Sequence, residues 1–310
     1  MGNRTAPPVI LMDGNERLPA AASPGGPARS LAETFTLIRF SHTLFALPFA
    51  FTGMVLAARG LPSLPVLGWI VAAMVGARTA AMTFNRLLDR PMDAANPRTA
   101  GRSLPAGRLT TSHAWGVFGL GLALLLLAAW RLNPLALALA PLAVVIICGY
   151  SLTKRFTHLT HLFLGLSLAG APLGAWIAVR ADLGLPALLL AAAVLFWTAG
   201  FDVIYSLQDL AFDQEHGLHS LPVHLGAESA LRLAKLFHLL AVVFLLLTAW
   251  PAAMGWIYLA GVALAALLLL LEHRLVGPGD LSRLQLAFFR LNVAVSFLIL
   301  AAACLDLLLT

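Results

Sequence analysis

Charge is scarce in this chain of 310 residues. Only 11% of them are Asp, Glu, Lys or Arg and 60% are hydrophobic, where an ordinary soluble domain carries about 25% charged residues. That excludes a water-soluble fold. A mean hydropathy of +0.88 points the same way, to a polytopic α-helical membrane protein. Cysteine is nearly absent. Cys148 and Cys304 both lie in apolar runs, which excludes a disulfide framework. Neither has a second cysteine at ligand spacing, which excludes a cysteine zinc site. No apolar stretch of the signal-peptide kind follows the first arginine, and residues 1–33, rich in Pro, Ala and Gly, are expected to be a disordered N-terminal tail. Acids are outnumbered, 14 against 20 Lys and Arg, and the pI is near 10.1. The bases are spread over loops between apolar runs, so membrane topology accounts for them and nucleic acid is not an expected partner.

What the chain has in abundance is apolar sequence. Nine runs cover roughly 37–59, 66–90, 112–131, 133–152, 158–179, 184–208, 231–250, 252–272 and 285–308. Each is long enough to cross the hydrocarbon core of a bilayer. The expected fold is therefore all-α, a bundle of nine transmembrane helices forming one domain over 34–310. With the N-terminus in the cytoplasm, inside segments hold fourteen of the Lys and Arg residues and outside segments hold three, Arg59, Arg131 and Arg180; Arg78, Arg86 and Arg290 fall within spans. This is a strong positive-inside bias. It implies a multi-pass protein of the cell inner (cytoplasmic) membrane. The two long polar loops, 91–111 and 209–230, then both face the cytoplasm. They follow the second and sixth spans, which suggests an internal duplication with one polar loop per copy. Long polar loops on one face of a compact bundle commonly carry function.

The second span ends in Asn85-Arg-Leu-Leu-Asp89-Arg-Pro-Met-Asp93, and the sixth in Asp202-Val-Ile-Tyr205-Ser-Leu-Gln-Asp209-Leu-Ala-Phe-Asp213. In each, steps of three or four residues align the polar side chains on one helix face. Carboxylates four apart repel. At a helix C-terminus the dipole opposes them, and at membrane depth they are costly. Something cationic must offset this. Mg²⁺ fits, since it takes oxygen ligands, often one or two carboxylates plus substrate phosphate oxygens. One such cluster is equally well a set of solvated acids paired with nearby arginines. Two with the same spacing, in corresponding places on one face, point to a site. Arg98 and Arg102, in the loop after the first cluster, are placed to grip phosphate with their guanidinium forks. Between the fourth and fifth spans, Lys154 is a second candidate to neutralise diphosphate and Tyr150 to hydrogen-bond it. Interfacial anchoring would explain the same two residues.

The pattern Asn85-x-x-x-Asp89-x-x-x-Asp93, followed by Asn96-Pro-Arg98-Thr-Ala-Gly-Arg102-Ser-Leu-Pro-Ala-Gly, resembles the first signature of the UbiA superfamily of intramembrane prenyltransferases. The second cluster, followed by Gly217, Ser220 and Pro222, is similar to the second signature. Tyr150 to Arg155 matches the family's Y-x-x-x-K-R element. The resemblance spans residue 35 or so to the end. It implies that Asn85, Asp89, Asp93, Asp209 and Asp213 hold Mg²⁺ and diphosphate, and that Asp202 supports the second site. It implies too that Arg98, Arg102 and Lys154 bind phosphate oxygens, with Tyr205 on the same substrate-facing side. Arg39 matches a basic residue facing the aromatic acceptor. His219 stands where some relatives carry Lys. The segment from Arg39 through His42 to Pro48 is closer to the 4-hydroxybenzoate polyprenyltransferase-like branch, which includes enzymes of the futalosine route to menaquinone.

The reaction so implied transfers a polyprenyl group from polyprenyl diphosphate to a hydroxyaromatic carboxylate in ubiquinone or menaquinone biosynthesis. The alternative acceptor is 1,4-dihydroxy-6-naphthoate. The lipid bilayer is a partner for the isoprenoid tail, and Gly165, Gly170 and Gly174 at small-residue spacing would allow close helix approach. The remaining histidines, His158 and His161 among them, are expected to be interfacial and polar, because no clean set of three or four ligands forms. A transporter would also suit nine spans and a repeat. Transporters place polar groups near the midplane, whereas these acids crowd one face.

Overall fold

The structure is a computed structural model that describes residues 27–38 and 43–309. Among them there is no β-strand, only an isolated bridge between Gly277 and Asp280. Thirteen α-helices follow in order: α1 (Pro27–Leu37), α2 (Thr43–Ala58), α3 (Leu64–Leu88), α4 (Arg90–Ala95), α5 (Thr111–Leu132), α6 (Pro134–Thr153), α7 (Thr160–Arg180), α8 (Leu185–Ser206), α9 (Leu210–Glu215), α10 (Leu221–Leu225), α11 (Ala227–Ala249), α12 (Trp256–Leu275) and α13 (Asn292–Leu309). Eight segments are long and apolar enough to span a membrane: α3, α5, α6, α7, α8 with its continuation to Glu215, α11, α12, and α13 with the turn before it. The ninth expected span emerges as the shorter apolar helix α2. The expected tail over 1–33 lies outside the described residues up to 26. Residues 27–33 belong instead to α1, and Glu33 is bonded into the bundle through Ser103 and Arg108.

Local chemistry sets the helix starts. Prolines occupy the first turn of α3, α4, α6, α8 and α10, where a missing N–H costs nothing. Thr110 caps α5 by accepting from the His113 N–H, and Asn133 caps α6 by accepting from the Ala136 N–H, each satisfying a donor the helix leaves free. Outward faces carry large apolar side chains, as lipid contact requires. Trp130, Trp250 and Trp256 are exposed at the ends of the bundle bearing Arg59, Arg131 and Arg180. Such rings form an interfacial belt.

Helix α8 runs through the middle and is the most buried of the spans, with Leu190, Val194, Trp197 and Val203 at most 2% exposed. An all-round apolar helix belongs there. Of the three spaced glycines, only Gly165 makes the expected close approach. A Cβ there would collide with the Leu195 carbonyl of α8, while Gly170 and Gly174 face open space. Polar bonds stitch the later helices together. Trp197 Nε1 donates to Asn292 Oδ1 at 2.7 Å, and Asn292 Nδ2 donates to Glu272 Oε1 at 3.0 Å and to the Ala287 and Phe288 carbonyls. The last two bonds fall within a π-helical turn, Leu286–Leu291. Asn292→Ala is expected to lower the apparent unfolding temperature, because two buried groups lose partners at about 1–3 kcal/mol each. An unchanged temperature would show that this network contributes nothing.

Candidate active site

Both acid clusters lie where a long helix breaks. Helix α3 stops at Leu88, since Pro91 in the first turn of α4 cannot donate to the helix behind it. The break is slight. The Asp89 N–H still donates to the Asn85 carbonyl at 2.9 Å and the Asp93 N–H to the Asp89 carbonyl at 2.7 Å, so Asn85, Asp89 and Asp93 remain stacked. Helix α8 stops at Ser206, a 3₁₀ turn covers Leu207–Asp209, and α9 carries Asp213. The expected single helical face through Asp202, Tyr205, Asp209 and Asp213 is therefore broken, because 3₁₀ winding rotates the residues beyond it. A second expectation also needs correction. Asp93 and Asp213 lie in the first turns of α4 and α9 rather than at a helix C-terminus.

The breaks bring both clusters to one cavity of about 270 Å³. It is lined by Asn85, Asp89, Asp93, Arg98, Arg102, Tyr150, Lys154, Asp202, Tyr205, Asp209 and Asp213, which is every sequence-predicted site residue except Arg39. Arg39, like His42, lies outside the described residues. Phe45, Leu164, Leu168, Phe201 and Phe288 form apolar wall, and His219 lies on the rim.

Three bonds tie the loop after the first acid cluster to Asp209 of the second. Arg98 donates to Asp209 through Nε at 2.9 Å and Nη2 at 2.6 Å, and Asn96 Nδ2 donates to Asp209 Oδ1 at 3.3 Å. The forked geometry suits guanidinium and carboxylate. Arg98 also lies 6.0 Å from the centre of the Tyr205 ring, which stacks on Phe288 at 4.0 Å. In the first cluster Arg102 Nη1 donates to Asp93 Oδ1 at 2.6 Å, Arg86 approaches Asp93 Oδ2 at 3.6 Å, and Asn85 Nδ2 donates to Asp89 Oδ2 at 3.0 Å. Arg155 reaches Asp89 Oδ1 only at 3.9 Å.

Burial pushes the Asp89 carboxyl above the ordinary aspartate range, against the pull of Lys154, and the neighbouring Asp93 adds to the rise. Burial works against the Arg98 cation too, but the hydrogen bonds and charge of Asp209 outweigh it and hold the guanidinium above its usual value. Asp89 Oδ1 and Asp93 Oδ2 are buried with no hydrogen-bond partner. Among the described residues no three His, Cys, Asp or Glu side chains are arranged to hold a metal by themselves. The donors present are carboxylate and amide oxygens from both clusters. That set fits a hard cation such as Mg²⁺, which completes its shell with water and phosphate oxygens.

Several cavity residues carried no site assignment in the sequence, among them Asn96, Arg86, His161 and Phe288. Arg86 was legible as an ionisable group inside an apolar span. His161 corrects the interfacial expectation. It is 2% exposed, and its Nδ1 is bonded to Asp202 Oδ2 at 2.7 Å.

Fold and cavity together define the class: a polytopic α-helical membrane protein with an acid- and arginine-lined chamber at one end of its bundle. A model of the UbiA prenyltransferase family matches residues 46–294. A 4-hydroxybenzoate octaprenyltransferase of Methylobacillus flagellatus is 33% identical over 77% of this chain and 81% of its own length, and one from Photobacterium profundum is 29% identical over 80% and 86%. Among solved structures, a UbiA homolog from Aeropyrum pernix K1 superposes with a TM-score of 0.78 at 36% identity, covering 86% of this chain and 98% of that one. A homolog from Archaeoglobus fulgidus bound to DMAPP and Mg²⁺ shares the fold at 18% identity, with a TM-score of 0.65 over 88% and 99% of the chains. The chain belongs to the UbiA prenyltransferase family. It is a multi-pass membrane prenyltransferase, which sets the transporter reading aside.

Proposed function

We propose that this prenyltransferase moves a polyprenyl group from a polyprenyl diphosphate to a hydroxyaromatic carboxylate of the 4-hydroxybenzoate type, with Mg²⁺, in quinone biosynthesis. The observation that carries the reading is the Arg98–Asp209 fork, which closes the two acid clusters around one chamber. The printed names of the curated relatives support the acceptor class. The distribution of Lys and Arg supports a rim that faces the cytoplasm.

The roles follow from the chemistry of each group. Asn85, Asp89, Asp93, Asp209 and Asp213 would hold Mg²⁺, which when bound adds positive charge to the diphosphate and makes it a better leaving group. Arg98, Arg102 and Lys154 donate to phosphate oxygens, and Tyr150 adds a hydroxyl. Arg98 and Arg102 are paired with Asp209 and Asp93 in the structure. With donor bound, those acids would be free to hold the metal and those arginines to donate to phosphate oxygens. The allylic C–O bond breaks with its electron pair on the diphosphate. A ring carbon ortho to the phenolic hydroxyl attacks the allylic carbon, and the ring then loses its proton. Apolar walls at Phe45, Phe201 and Phe288 keep bulk water from the positive charge that develops on the allylic carbon.

Membranes incubated with 4-hydroxybenzoate or a dihydroxynaphthoate and several prenyl diphosphates are expected to yield a product with the mass of acceptor plus prenyl group minus one hydrogen. Chelation with EDTA is expected to stop the reaction and added Mg²⁺ to restore it. Product formed at full rate in EDTA would sink the metal assignment. Lys154→Met is expected to raise KM for the donor about tenfold, the loss of one charge-assisted contact. Steady-state kinetics would check it.

A further inference from the structure

The donor chemistry leaves one buried group on the cavity wall unused. His161 stands at the start of α7 and is 2% exposed. Its Nε2 accepts from the Leu221 N–H at 3.4 Å. A nitrogen that accepts carries no proton, so the proton of the neutral ring sits on Nδ1. Nδ1 is 2.7 Å from Asp202 Oδ2 and donates to it. Both residues line the cavity. Asp202 differs from three of its neighbours: Asp89, Asp93 and Asp209 are paired with arginines, whereas Asp202 is held by an imidazole. It also lies about two helical turns deeper than Asp209 along the same segment, near the apolar wall of Leu164, Leu168 and Phe201. Its side chain is 22% exposed, and Oδ1 makes no hydrogen bond among the described residues.

We infer that His161 is a positioning residue for the acceptor half of the reaction, orienting Asp202 so that Oδ1 faces the hydroxyaromatic ring and takes up its proton. The inference rests on the prenyl-transfer reading above. The balance is as follows. The donor C–O bond breaks and its electron pair leaves with the diphosphate. A π pair of the ring forms the new C–C bond. The proton displaced from that ring carbon passes to Asp202 Oδ1 and then to water. The imidazole keeps its own proton throughout. Its N–H holds the carboxylate in one orientation, and its Nε2 ties the ring to the backbone at the start of α10.

The test uses the purified full chain in lipid nanodiscs with Mg²⁺, geranyl diphosphate, and either 4-hydroxybenzoate or 1,4-dihydroxy-6-naphthoate. His161→Ala is expected to lower kcat for transfer about tenfold or more, with KM for the donor within about twofold of wild type and acceptor-independent release of diphosphate retained. His161→Asn is expected to recover most of the lost kcat, because its amide donates from where Nδ1 stood although it cannot reach Leu221. His161→Gln, which substitutes for Nε2, is expected to stay low. A raised donor KM at unchanged kcat would reduce His161 to a loop anchor and overturn the inference. So would an Asn variant as impaired as Ala, or one that has lost diphosphate release. If the wild type prenylates neither acceptor, the functional reading itself fails, and this inference with it.

Discussion

Asp89→Ala and Asp209→Ala are each expected to lower prenyl transfer about a hundredfold or more, while the protein still inserts in the membrane and migrates as wild type by gel filtration. The two residues belong to different halves of the chain yet line one chamber, so each removes charge from the same place. Asp89 lies at a slight break in α3, is 6% exposed, and has one oxygen with no hydrogen-bond partner. Its removal relieves a buried acid that burial already penalises, so the fold has little to lose. Asp209 holds Arg98 in a bidentate pair. Its removal frees that arginine and also opens the link between the clusters. Because both act on one diphosphate, the double variant is expected to be little worse than either single one, as groups that act as a unit are strongly non-additive. Full activity in either single variant, measured by product mass against total folded protein, would sink the mechanism.

Gly165→Leu is expected to have the largest effect on stability. A Cβ at Gly165 would collide with the Leu195 backbone carbonyl. A carbonyl in the middle of the buried helix α8 cannot swing aside as a flexible side chain would, so α7 and α8 must separate. Overpacking of this kind costs about 1–3 kcal/mol, sometimes more, and here it falls on the helix pair that carries His161 and Asp202. A lower apparent unfolding temperature and loss of transfer are both expected. Gly170→Ala and Gly174→Ala, where a Cβ meets open space, are expected to match wild type. Equal behaviour of all three variants would refute the close approach at Gly165.

Much of this was legible in the residues. Runs of about twenty apolar residues can satisfy their backbone groups in lipid only as helices, so the spans were readable by length. The expected span at 37–59 was the exception. There the described residues form the shorter helix over Thr43–Ala58, which continues through Pro48, and residues 39–42 lie outside the described residues. The acid clusters were readable because carboxylates are so costly in an apolar chain that their presence has to be explained. His161 was not readable. A lone histidine near a helix start looks interfacial until α8 and α10 are brought against it.

By itself, then, the sequence determined an α-helical membrane bundle, two spaced acid sets and a basic loop between them, since helix period and the cost of buried charge are both local matters. The tertiary structure alone decided that Arg98 meets Asp209 across 111 residues, that Asn96 joins them, and that Asp202 is held by a histidine rather than an arginine. Those pairings depend on how helices are rotated and how their ends break. Rotation is set by side-chain packing between elements far apart in the chain, and no local pattern of charge encodes it.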